Sequence, residues 1–142
     1  MQKIPKQRST VYEMIYKRIT PILSALGEDY YVKLEVSGFM DLHINLLEKD
    51  PETGAVEISL AHYREQNGDM ISDPDMTVRV YMDRQMAEAL SYQDTFGYRK
   101  VYTQGKHNTW VNTNAKRELN HFLNFWLQNL KSKGFIAKAK EA

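Results

Sequence analysis

Four stretches of the chain alternate apolar and polar residues, and most joints between them are short. Tyr30–Val36 reverses at Ser37-Gly38 into Met40–Leu47, where Met40, Leu42, Ile44 and Leu46 share one face. Asp50-Pro51 and Thr53-Gly54 punctuate the next turn, and Val56–Tyr63 follows with Val56, Ile58 and Leu60 inward. Met76–Met82 repeats the pattern through Met76, Val78, Val80 and Met82. Period-two alternation calls for strands with one buried face, and short reversals pair such strands antiparallel. Met86–Tyr92 reads as a fifth strand, although its Ala-Glu-Ala-Leu is also good helix material.

A sheet with one apolar face needs a cover, and two amphipathic segments supply it. Thr10 and Glu13 form a capping box ahead of Val11, Met14, Ile15, Ile19, Ile22, Leu23 and Leu26, which recur at helical spacing. Pro21 lies inside that pattern and predicts a kink or break near Thr20. A closing helix is expected over 114–133, where Leu119, Phe122, Leu123, Trp126, Leu127 and Leu130 make one apolar stripe that ends at Gly134. Residues 95–113 read as turn-rich, with a short strand at Tyr98–Tyr102. The fold class is therefore α+β. An antiparallel sheet of about five strands is covered on one face by N-terminal and C-terminal helices, in a single domain over residues 10–134.

The chain has 142 residues, 42% of them hydrophobic and 26% charged, as in an ordinary globular protein. It has no cysteine, which removes disulfides, Cys-zinc sites and thiol nucleophiles and suits a reducing compartment. No apolar run approaches the ~18 residues of a membrane span, and the basic start MQKIPKQR leads into no signal-like apolar region, so the expected location is cytoplasmic. The net charge of +1 divides into +3 on residues 1–8, +3 on residues 131–142 and −5 between them. The ends, 1–9 and 135–142, read as basic and frayed. A nucleic-acid face should be basic on the folded body itself, so nucleic acid is not expected as a partner.

The densest polar stretch is AHYREQNGDMISDPDM, residues 61–76. Asn67-Gly68 is a hairpin turn signal, and Asp73-Pro74-Asp75 reads as a second turn within a solvated loop joining the third and fourth strands. Asp69, Asp73 and Asp75 carry hard oxygen ligands, but their spacing fits no EF-hand, and no metal is expected. His62 continues the inward phase of Val56, Ile58 and Leu60, and Glu88 shares its phase with Met86, Leu90 and Tyr92. Both then lie on the helix-covered side, as a structural pair or as an acid/base pair lining a pocket, unless a bulge reverses the phase. Arg79, Tyr81 and Asp83 join them as candidate ligand-binding residues, with Arg79 holding an anion and Tyr81 stacking a base.

Other motifs are incomplete. Gly105-Lys106 lacks the rest of a phosphate loop, no serine sits in a G-x-S-x-G elbow, and His43, His62, His107 and His121 lack zinc spacing. Phe125 points away from the stripe of its helix, toward an interface or toward the 95–113 loop.

M-T-V-R-V-Y-M-D-R-Q-M-A-E-A (76–89) followed by L-N-H-F-L-N-F-W-L (119–127) resembles a family of small bacterial proteins typified by YqiB, over residues 10 to 134. The positions that carry the likeness are Val78, Arg79, Tyr81, Asp83, Ala87 and Glu88, then Lys116, Asn120, Phe122, Leu123, Trp126 and Leu127. That family is a domain of unknown function, so the resemblance implies no cofactor and no catalytic residue. The expectation is a small binding or accessory domain that is not an enzyme and self-associates. The alternative is a nucleotide or small-anion binder, hydrolytic in its strongest form, centred on His62, Arg79, Tyr81 and Glu88.

Overall fold

A computed structural model describes residues 9–142. The basic segment at the N-terminus lies outside the described residues, apart from Ser9. Chain order is α1 (Val11–Ser24), β1 (Tyr31–Leu34), β2 (Leu42–Lys49), β3 (Val56–Gln66), β4 (Asp69–Tyr81), β5 (Met86–Asp94), β6 (Gly97–Lys100), β7 (Tyr102–Gln104), β8 (Thr109–Val111), α2 (Thr113–Ser132) and α3 (Phe135–Glu141). Strands β1 to β6 form one antiparallel sheet in chain order, and β7 and β8 form a separate two-stranded ribbon. The α+β architecture is the expected one, with six strands in the main sheet where five were counted.

The helices cover one face. Ile15, Ile19 and Ile22 of α1 and Leu123, Leu127 and Leu130 of α2 pack with Leu42, Ile44, Ile58, Leu60, Val78 and Val80 in a single core. Thr10 caps α1 with the full capping box, its hydroxyl accepting from the Glu13 amide. Of the kink or break expected near Thr20, the break does not occur: α1 runs on through Pro21. Proline cannot donate to the Lys17 carbonyl, but the Thr20 hydroxyl donates to it at 3.4 Å, so the freed acceptor keeps a partner.

Two further expectations are corrected. Residues 61–76 are not a loop: β3 and β4 extend through them as a long hairpin closed by Asn67 and Gly68 alone, both at positive φ (52° and 84°). Asp73-Pro74 lies inside β4, where Ala61 pairs Asp75 but Tyr63 pairs Ser72. That register shift is a bulge, a place in a strand where a proline without an N–H is tolerated. Residues 135–141 are not frayed either. Gly134, at φ 97°, turns the chain into α3, which buries Phe135, Ile136 and Ala139 against the core.

The chain after β5 is more ordered than its turn-rich composition suggests. Val101 is buried between β6 and β7, its N–H donating to the Leu90 carbonyl and its carbonyl accepting from Asn112. That residue separates the single short strand expected at 98–102 into two strands belonging to different sheets.

Candidate functional site

Glu57, Arg79 and Glu88 are cross-strand neighbours on β3, β4 and β5. They face away from the helices, because the flanking pairs Ile58–Val78, Val78–Ala89 and Val80–Ala87 are fully buried beneath them. Arg79 donates to Glu57 at 2.7 Å and lies 3.8 Å from Asp50, and the Glu57 hydrogen bond holds its pKa above the ordinary value. It is an engaged cation rather than one kept for an incoming anion.

Glu88 is held from two sides. The Tyr81 hydroxyl donates to one carboxylate oxygen at 2.9 Å and the Tyr102 hydroxyl to the other at 2.5 Å. Burial, then the hydrogen bond to Glu88, pushes the Tyr81 phenol up to about 12, and the same causes raise Tyr102. Both phenols are therefore protonated donors at neutral pH and unsuited to act as bases. Beside them opens a cleft of about 170 Å³ lined by Tyr12, Tyr81, Arg84, Ala87, Glu88 and Lys116, with Met86 at its wall. It sits where the outer edge of β5, paired on its other side with β4, has no strand neighbour, since β6 pairs β5 only from Ser91 onward.

Two cations line this cleft, each resting on tyrosine. The Arg84 guanidinium lies 4.5 Å from the Tyr81 ring centre, and the Lys116 ammonium lies 5.8 Å from Tyr12 and 5.6 Å from Tyr102. Local structure explains both placements. Arg84 belongs to the tight β4–β5 turn, where Gln85 adopts φ 53°. Lys116 is on the first turn of α2, which Asn112 caps by accepting from the Ala115 amide. Asn120, one turn further on and buried, fastens that helix to the sheet: its side chain accepts from the Ala89 N–H at 2.8 Å and donates to the Lys116 carbonyl at 2.6 Å.

His62 is elsewhere. It is 5% exposed on the helix side, with ring centres 5.5 Å from Trp126 and 5.8 Å from Phe135, and its Nδ1 donates to the Asp41 carbonyl at 2.8 Å. Desolvation lowers its pKa. His62 and Glu88 stand on opposite faces of the sheet and do not form a pair. The cause is a bulge at Leu90: Ser91 pairs Thr77 but Ala89 pairs the adjacent Val78, which turns Glu88 to the face opposite Tyr92.

The remaining candidates are dispersed. Asn67 and Gly68 form the hairpin turn, and Asp69 pairs Gln66 beside it. Asp73 lies 3.4 Å from Arg64, and Asp75 accepts from the Ser59 hydroxyl. Among the described residues no three His, Asp or Glu side chains converge to hold a metal. Asp83 is exposed in the β4–β5 turn and does not line the cleft. Phe125 is 58% exposed beside Arg18, Gln128, Asn129 and Ser132, so it does not tuck under the 95–113 segment, and its neighbours form no apolar patch. A second cleft, lined by Leu23, Leu26, Leu46, Val56, Met82 and Lys49, lies between the end of α1 and the β2–β3 turn.

Tyr12, Arg84 and Tyr102 were not singled out from sequence. Lys116 and Asn120 carried only the resemblance, without a role. No helix among the described residues is long and apolar enough to cross a membrane. No curated protein and no solved structure matches the chain. A family model does match, across residues 13–136, and those bounds take in the whole main sheet and every residue of the tyrosine-lined cleft except Tyr12. The chain belongs to the DUF6908 family, a domain of unknown function.

Proposed function

We propose that this domain is a non-catalytic binding module whose cleft beside Glu88 takes a small anion of the nucleotide class. The observation that carries the reading is the pair Arg84 and Lys116. Both line one cleft, both rest on tyrosine rings, and neither forms an ion pair among the described residues. Their donors are left for an anion, while Glu88 offers an acceptor to an amino group on the same ligand. The protonated phenols and the distant His62 supply neither a nucleophile nor a base, and the Glu88 carboxylate is held as an acceptor by a tyrosine hydroxyl on each oxygen, which favours binding over hydrolysis. A cytoplasmic setting belongs to the same proposal, supported by the cysteine-free composition, and so does the likeness to YqiB-type bacterial proteins, supported by segments 76–89 and 119–127.

Calorimetric titration with AMP and with inorganic phosphate tests it. The expected result is saturable binding that Lys116→Ala and Arg84→Ala each weaken by about tenfold or more, the scale of one charge-assisted hydrogen bond. Binding indifferent to both substitutions, or no heat at all, would overturn the reading.

A further inference from the structure

Residues 95–117 contain five cationic side chains, Arg99, Lys100, Lys106, Lys116 and Arg117, and no acidic one. The rest of the described chain carries a net charge of −7. Netting the whole chain hides this contrast, and so does its division into two basic ends and an acidic body. The fold gathers the run at the β5 edge. Strand β6 pairs with β5, Val101 ties β6 to β7, β8 pairs with β7, and Asn112 leads from β8 into α2. Every residue of 97–100 and of 106–112 is exposed.

Aromatic rings stand among these cations and face water: Phe96 is 96% exposed, Tyr98 59% and Trp110 64%. All three rest on ordered backbone. The Asp94 carboxylate accepts from the Phe96 and Gly97 amides at 2.8 and 3.1 Å and fixes that turn. Tyr98 is in register with Gln93 on the sheet. The Trp110 indole packs on Gly105 so closely that a Cβ there would stand 2.9 Å from Nε1. Rings held by backbone yet open to water, interleaved with lysine and arginine, provide faces for bases and charges for the phosphates between them.

We propose that the surface formed by β6–β8 and the adjoining start of α2 binds single-stranded nucleic acid, with bases stacking on Tyr98 and Trp110 and with Lys100 and Lys106 of the first and Arg117 of the second on the phosphates. Arg99 contributes less, because Glu118 already holds it at 2.7 Å. A duplex is disfavoured because its bases are stacked on each other and offer these rings no free face. The surface runs up to the cleft, since Tyr102, the first residue of β7, both binds Glu88 and lies beside Lys116.

The test is fluorescence anisotropy of the full chain with labelled oligothymidylate and oligouridylate of about twelve nucleotides, a length within the range single-strand binders cover. Tryptophan emission is followed in parallel. The chain has two tryptophans and Trp126 is 5% exposed, so quenching by a bound strand reports on Trp110. Expected are quenching, a log–log salt slope of about −2 for three phosphates, and a roughly tenfold loss of affinity in Trp110→Ala. Lys100→Glu with Lys106→Glu should abolish binding, and a duplex of equal length should bind at least about tenfold more weakly. Tyr98→Ala provides a second stacking variant, and melting curves confirm that each variant folds.

Absence of binding overturns the proposal. So does binding without quenching that Trp110→Ala and Tyr98→Ala leave unchanged, equal affinity for duplex, or equal affinity for phosphatidylserine vesicles, which would mark a general polyanion or lipid surface. The lysine double variant spares the cleft, so strand binding lost with AMP binding retained is the pattern expected if both proposals hold. Strand binding by a chain that ignores AMP upholds this proposal and removes the cleft reading.

Discussion

His62 ties the stability of the fold to pH. Its Nδ1 faces the Asp41 carbonyl and carries the proton of the neutral ring, so acid must place a second proton on Nε2 among Trp126 and Phe135. Desolvation is the main cause of its lowered pKa. Lys133 and His43 act in the same direction, while the Asp41 hydrogen bond and the charge of Asp73 oppose them. The unfolded chain therefore takes up this proton more readily than the folded one. Stability from His62 is complete above its ordinary value of 6.5 and is lost as pH falls below that toward the depressed folded value. Asp50 and Asp94 are lowered from a carboxylate value of 3.8, so their losses come at more acid pH and leave the histidine window separate. Denaturant melts at a series of pH values should show a decline beginning near 6.5 that His62→Phe removes. An unchanged decline in that variant would assign it to other histidines.

At the scale of elements, legibility follows local period and fails at irregularities. The alternation in β2 to β5 and the stripe in α2 were readable because each face repeats over several residues. The bulge at Leu90 was not, since a single extra residue leaves composition unchanged while exchanging the faces of everything before it. Helix α3 is hard to read for another reason: its lysines give the segment the composition of a basic end, although Phe135, Ile136 and Ala139 have the spacing of one buried helical face. A seven-residue helix has little stability of its own and depends on docking. Phe135 is the anchor, fully buried with Phe39 and His62 beside it. Phe135→Ala should cost about 3–5 kcal/mol and lower the melting midpoint by about 10 °C, read by circular dichroism. A midpoint within about 2 °C of the native chain, less than one kcal/mol for a domain this size, would mean that α3 contributes little to the core.

For the molecule as a whole, the sheet could be inferred from sequence and the site only in part. Arg79, Tyr81 and Glu88 were named, and the last two do meet at a cleft. Their partners come from α1, the β4–β5 turn, β7 and α2, so Tyr12, Arg84, Tyr102 and Lys116 adjoin only after the meander has closed and the helices have docked. No period in the sequence encodes that adjacency. Asn120 makes it possible by joining α2 to the open edge of β5, a contact between residues 31 apart in the chain.

The most direct check on the cleft is a nitrogen-15 amide shift titration of the full chain with AMP. Saturating shifts concentrated at Tyr12, Arg84, Ala87, Glu88 and Lys116 are the expected result. Shifts centred on Leu26, Lys49 and Met82, or on His62 and Trp126, or none at all, would contradict it.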